Sequence, residues 1–279
     1  MAQAYNQPDI TSLQNNRVKE WAGLLDRKGR QKAGAFLIEG IHLVEEAVRA
    51  GAPVRTLVYE ADKGLPGTLA DHAEAAGIET VSVTRPIMER CTDTETPQGI
   101  FAVVDKPAEP AETLLADTGS DLVVVVDGVQ DPGNLGTIIR SADAVGASAV
   151  VLGRGTVDLY NPKAIRSTMG SLFHLPIVEA DLQELLPAAR EAGRQIVVTS
   201  LQADSSCYAL DMTRPTWLVV GNEGRGVSDA TGELATHRVI IPMQGQAESL
   251  NVAMATTVLL FEASRQRLVC NNNNSCPGP

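Results

Sequence analysis

Five continuous apolar runs mark the second half of the chain, at residues 122–126, 149–152, 196–199, 217–220 and 239–241. Short uninterrupted runs of valine, isoleucine and leucine suit strands covered on both faces, which is the situation in a parallel sheet flanked by helices. The pattern therefore predicts an α/β domain over 121–268 with a mostly parallel sheet. The first part of the chain alternates instead. Apolar residues at helical spacing over 38–50, a strand at 54–59, a helix at 69–76 and a strand at 80–83 predict a smaller α/β domain over 35–105. Residues 106–120 open with two prolines and little hydrophobicity and read as a linker. Residues 12–33 are polar and partly helical, so 1–34 reads as a basic arm, and the asparagine-rich stretch 269–279 as a disordered tail.

Length supports two domains, because 279 residues exceed what a single core ordinarily organises. The N-terminus has no basic region followed by an apolar stretch, and no apolar run reaches the length of a membrane span, so a cytoplasmic protein is expected. The four cysteines show no CxxC spacing and the four histidines stand far apart, which predicts neither a metal site nor a disulfide framework. A net charge of −11 counts against indiscriminate binding to nucleic acid, whose phosphates select basic surfaces. The arm is the exception: residues 1–35 hold six basic and three acidic side chains, with Arg27, Lys28, Arg30 and Lys32 clustered. Such a cluster is either a solvated helix face or a phosphate contact.

Candidate chemistry lies where the apolar runs stop, since ligands of open parallel sheets bind at the carboxyl edge. After residue 126, Pro132-Gly-Asn-Leu-Gly136 opens a helix with Ile138, Ala142 and Val145 on one face and Arg140 pointing away from it. Asn134 is suited to cap that helix. After residue 220, Gly221-Asn-Glu-Gly-Arg-Gly226 allows backbone to approach a ligand, but it does not fit GxGxxG, which disfavours a dinucleotide-dependent oxidoreductase. A third stretch, Ile241 to Asn251, leads into a helix with Ser249 as a candidate cap and Leu250, Met254, Val258 and Phe261 as one apolar stripe expected to pack.

Together the three stretches resemble the motifs of the SpoU/TrmH-type RNA ribose 2′-O-methyltransferases of the SPOUT class. The flanks are similar too, at Phe36-Leu-Ile-Glu-Gly-Ile-His and Tyr160-Asn-Pro-Lys-Ala-Ile-Arg166. The resemblance implies a deep C-terminal trefoil knot preceded by a small L30e-like domain that recognises RNA. It implies S-adenosylmethionine (AdoMet) as cofactor, no metal, ribosomal or transfer RNA as substrate, and a homodimer with the active site at the subunit interface. By the same resemblance Asn134, Arg140, Glu223, Ser249 and Asn251 are catalytic, Gly221, Ile241 and Leu250 contact AdoMet, and Arg166 binds RNA phosphate. The family's arginine has been assigned as a base; a guanidinium stays protonated in proteins, which suits it to steadying an alkoxide or a phosphate. Both roles stay open from sequence, as does a catalytically silent RNA-binding protein on the same scaffold.

Overall fold

The computed structural model describes residues 7–107, 113–116, 121–203 and 205–272. Its elements begin with α1 (Asn16–Gly23), α2 (Arg27–Ala33), β1 (Ala35–Glu39), α3 (Ile41–Arg49), β2 (Val54–Glu60), α4 (Gly67–Ala75), β3 (Glu79–Val83), α5 (Arg85–Cys91) and β4 (Ile100–Asp105). They continue as α6 (Thr113–Ala116), β5 (Leu122–Asp127), α7 (Pro132–Ala144), β6 (Ala149–Leu152), α8 (Pro162–Thr168), β7 (Ile177–Glu179), α9 (Leu182–Glu191), β8 (Gln195–Thr199), β9 (Thr216–Gly221), α10 (Asp229–Gly232), β10 (His237–Val239) and α11 (Val252–Asn272). Packing divides the chain into two compact units. One combines α1 through β4 with residues 158–173; the other holds the remaining elements.

The first unit is built on a mixed sheet of order β1-β4-β2-β3, with β4 antiparallel to both its neighbours and β2 parallel to β3. Ile38, expected at the start of a helix, lies in β1. Ala35, Phe36, Leu37 and Ile38 are all buried, which a strand covered on both faces achieves and a one-sided helix does not. Gly40, at φ +99°, then turns the chain into α3, a conformation in which a side chain would be strained. The stretch expected to form a basic arm is part of this core: Ile10, Val18, Trp21 and Leu24 pack with Val81, Val83 and Phe101. Trp21 meets Phe101 edge to face, with ring centroids 5.6 Å apart.

The second unit carries a six-stranded sheet of order β10-β8-β9-β5-β6-β7, parallel at every pairing, as the apolar runs predict. Parallel strands send the loops after β5, β9 and β10 to one edge. Two boundaries differ from expectation: β10 ends at Val239, short of Ile241, and β7 is a three-residue edge strand too brief to register as an apolar run. Helix α11 packs through Ala253, Thr256, Leu259, Leu260 and Ala263, and Thr257 shares a 2.7 Å hydrogen bond with Ser141 of α7. The stripe expected to pack is the other face: Met254 and Phe261 are 57% and 52% exposed. Cys91 and Cys207 are buried thiols whose pKa burial raises, Cys91 to about 11, so both stay protonated.

Candidate active site

At the carboxyl edge of the parallel sheet, the residues of the three stretches meet in one hydrogen-bonded chain. Asp131, preceding Pro132, caps α7 by accepting from the Asn134 backbone N–H at 2.9 Å. Asn134 is therefore inside the first turn, not at the cap, and its side chain is free for other partners. Its amide nitrogen donates to Glu223 Oε1 at 3.0 Å, and its Oδ1 accepts from Asn251 Nδ2 at 3.0 Å. Asn251 in turn caps α11, its Oδ1 accepting from the backbone N–H groups of Ala253 at 2.9 Å and Met254 at 3.3 Å. This replaces Ser249 as the cap; Ser249 is exposed and makes no hydrogen bond to any described residue.

Glu223 closes the network from the other side. It accepts from the backbone N–H of Asp131 at 2.9 Å and of Gln130 at 3.1 Å, tying the loop after β9 to the loop after β5. Burial pushes its carboxyl pKa up, and the hydrogen bonds from Asn134, Asp131 and Gln130 outweigh that, leaving it below the usual carboxylate range. The tie is thus present above the ordinary glutamate pKa and is lost as pH falls through the lowered folded-state value.

The loop after β9 is folded by Asn222, a residue that sequence reading passed over. Its Nδ2 donates to Gly128 O at 2.9 Å, while its Oδ1 accepts from the N–H groups of Gly224 and Arg225 at 3.0 and 3.1 Å. Paired backbone bonds between Asn222 and Gly226 close the loop on itself, and Ser228 donates to Asp127 Oδ2 through both its N–H and its hydroxyl. Asparagine's habit of bonding backbone two residues on is the signal that marks it. Gly221 makes room for this return: a Cβ there would lie 2.1 Å from the Gly226 carbonyl carbon and 2.1 Å from the Val227 nitrogen. Its missing side chain serves the loop's own closure rather than a ligand's approach.

Ile241 and Leu250 bound a stretch at the same edge in which no backbone group bonds to another described residue. Met243 and Leu250 expose apolar surface along it. Unpaired donors and acceptors beside apolar side chains fit a nucleoside, whose base has a polar edge and apolar faces, so the residues fit AdoMet. Arg140, on α7 beyond Asn134, is exposed and has no described hydrogen-bond partner. Asp143, its natural helical neighbour, is instead engaged at 2.8 Å by His174 Nδ1.

The expected RNA contacts all lie in the first unit, under different constraints. Arg30 is 3% exposed; it pairs with Asp158 at 2.6 Å and donates to the carbonyls of Leu24 and Leu25, which leaves nothing for a phosphate. Arg27, Lys28 and Lys32 remain exposed on α2. Arg166 donates through Nη2 to Asp93 at 2.8 Å, while its Nη1 is buried without a partner among the described residues. Among those residues there is also no cluster of three or more histidine, cysteine or carboxylate side chains suited to a metal, and no helix long and apolar enough to cross a membrane.

A parallel α/β unit with a polar network across the loops at its carboxyl edge, and an exposed arginine without a described partner further along the helix that starts there, is the form of a nucleoside-cofactor enzyme. Known proteins make the class specific. Residues 121–261 match the SpoU rRNA methylase family model, and residues 15–102 match an MRM3-like substrate binding domain. The chain belongs to the SpoU rRNA methylase family. It is 40% identical over 252 residues to the 23S rRNA (guanosine(2553)-2′-O)-methyltransferase RlmP of Bacillus subtilis (strain 168), covering 90% of this chain and 97% of the relative. It is 38% identical over 267 residues to the 23S rRNA (uridine(2479)-2′-O)-methyltransferase of Streptomyces viridochromogenes, covering 93% and 92%. The crystal structure of the SpoU methyltransferase AviRb from Streptomyces viridochromogenes, in complex with the cofactor AdoMet, superposes with a TM-score of 0.84 at 36% identity, covering 91% of this chain and 99% of that one.

Proposed function

We propose that this protein transfers a methyl group from AdoMet to a ribose 2′-hydroxyl of ribosomal RNA, acting in the cytoplasm as a homodimer. The observation that carries the reading is the joining of Asn134, Glu223 and Asn251 in one hydrogen-bonded chain at the sheet edge, with Arg140, unpaired among the described residues, on the same helix as Asn134. A ribose hydroxyl is a weak nucleophile until the charge that develops on its oxygen is stabilised or its proton removed. Arg140 has no partner among the described residues to give up and a positive charge to offer. Asn134 is held by Glu223 on one side and Asn251 on the other, which fixes where α7 begins and hence where Arg140 stands. Backbone groups at Gly221, Ile241 and Leu250 would hold the cofactor, and Ser249, without a hydrogen bond to any described residue, would stand at the site. When bound, AdoMet supplies a methyl group activated by its sulfonium.

Relatives named as 23S rRNA methyltransferases support large-subunit ribosomal RNA as substrate. The match over 15–102 supports the first unit as the part that recognises it. In this reading residues 35–105 of that unit are the L30e-like domain, 106–120 links it to the catalytic domain, and the catalytic domain over 121–268 carries the knot; residues 1–6, 108–112, 117–120, 204 and 273–279 lie outside the described residues. Purified protein, labelled AdoMet and 23S rRNA test the reading. Label is expected in alkali-resistant dinucleotides, the mark of a blocked 2′-hydroxyl. Label in a base, or none with 23S rRNA, contradicts it.

The exposed face of α11 supports the dimer, because an apolar stripe on a long helix is costly to leave in water. Phe261→Glu is expected to yield monomers by light scattering and to lower methyl transfer, with the thermal midpoint of the monomer little changed. A variant that stays dimeric rules this face out as the interface. On the RNA side, Arg27→Ala, Lys28→Ala and Lys32→Ala together are expected to flatten the log–log salt dependence of RNA affinity by roughly 0.7 to 0.9 for each phosphate that is no longer neutralised. An unchanged slope would make α2 a solvated face.

A further inference from the structure

Residues 158–173 sit in sequence between β6 and β7 of the second unit's sheet, yet they pack with the first unit. What holds them is specific. Arg30 donates through Nε and Nη2 to Asp158 Oδ2, at 3.2 and 2.6 Å, while its Nη1 donates to Leu24 O and Leu25 O at 2.8 and 2.7 Å. All three guanidinium nitrogens are used, and the pair is nearly sealed from water, with side-chain exposures of 3% and 12%. The other oxygen of Asp158 accepts from the Tyr160 N–H at 3.0 Å, and its carbonyl accepts from the Asn161 N–H at 3.0 Å. Asn161 then caps α8 by accepting from Lys163 N–H at 2.9 Å. Arg166 lies in the last turn of the same helix.

The rest of the segment is held as well. Tyr160 packs on Phe36 with ring centroids 4.5 Å apart, and Ala164, Ile165 and Thr168 are buried. His42 Nε2 lies 3.3 Å from Met169 O, and the Arg166 guanidinium itself is oriented by Asp93. The loop carrying Asp93 is fixed in turn by Glu39 of β1, which accepts from the Asp93 N–H at 3.0 Å and from the Thr94 hydroxyl.

We propose that Arg30 and Asp158 are positioning residues for Arg166: their buried ion pair sets the turn from which α8 starts, and so aims the arginine at the RNA. The basic cluster of α2 thereby divides by role, with Arg27, Lys28 and Lys32 facing solvent and Arg30 acting from inside. Arginine is required because one planar group must serve a carboxylate and two carbonyls at once; lysine keeps the charge but not the fork. The proposal rests on the reading of Arg166 as an RNA contact.

A double-mutant cycle tests it on the full-length protein, with saturating AdoMet and 23S rRNA as substrate. Arg30→Lys and Asp158→Asn are each measured alone and combined with Arg166→Ala, reading kcat and KM for RNA, AdoMet affinity by calorimetry, and thermal midpoint. The two substitutions are used in parallel so that loss of fold in one leaves the other informative. Each single variant is expected to lower kcat/KM for RNA by about fivefold or more through KM, with AdoMet affinity unchanged, and to add less than about twofold once Arg166 is alanine. A general weakening of the fold would instead multiply with the Arg166 effect. Multiplying effects, or a folded variant with unchanged KM, overturn the positioning role alone. Normal KM and kcat in Arg166→Ala overturn the RNA reading on which it rests.

Discussion

Arg140→Ala is expected to lower kcat for methyl transfer by about 10²–10³-fold, the usual loss when a group that stabilises a developing oxyanion is removed. AdoMet affinity, measured by calorimetry, should stay within about threefold, because the arginine is exposed on α7 and bonds to none of the described residues that shape the cofactor edge. Arg140→Lys separates charge from geometry: recovery of most activity means that a point charge suffices, and continued loss means that the planar fork is needed. The nearby Asp143 does not complicate the comparison, since it is occupied by His174. Near-normal turnover in the alanine variant would remove Arg140 from the reaction.

The second large effect is expected at a residue with no functional group. Gly221→Ala places a Cβ about where the Gly226–Val227 peptide already runs, with the nearest atoms at 2.1 to 2.2 Å and all of them backbone. No side chain can move aside to relieve that overlap, so the loop itself must open. Opening it pulls on the Asn222 bonds to Gly128 and on Glu223, whose carboxylate spans to the loop after β5. AdoMet affinity should fall by roughly 100-fold or more, at about 1.4 kcal/mol for each factor of ten. Gly224→Ala, in the same loop, is the control. Its Cβ would find only Asn222 Oδ1, at 3.7 Å, and no positive φ constrains it, so affinity should remain within about twofold. Equal affinity in the two alanine variants would mean that the loop's closure does not shape the cofactor site.

The parallel sheet was legible because its strands are buried on both faces and so read as unbroken apolar runs; β5, β8 and β9 fall where the runs lie. β1 was not, because a short run such as Ala35 to Ile38 satisfies helical and extended patterns alike until its neighbours are known. Those neighbours are on β4, far along the chain, where Ala35 pairs with Asp105. The helix caps show a subtler limit. Asp131 before Pro132 carries a readable cap signature, but asparagine is an equally good cap type, and only the fold shows Asn134 turned to Glu223 and Asn251, residues 89 and 117 positions distant. Charge misled at Arg30 for the same reason. The four cations of α2 look equivalent, and nothing local marks the one whose carboxylate lies 128 residues on. The apolar stripe of α11 was seen correctly as apolar, yet spacing cannot tell a face packed within the chain from one left open.

Methylation of a ribose hydroxyl in ribosomal RNA is tested most directly by mapping 2′-O-methyl sites in total RNA. Cells with the protein, cells without it, and cells carrying Arg140→Ala are compared by alkaline-protection sequencing. The expected result is one protected position in large-subunit ribosomal RNA that appears with the protein and is absent from both other samples. Identical maps in all three, or a missing modification confined to transfer RNA or to a base, would contradict ribose methylation of ribosomal RNA by this protein.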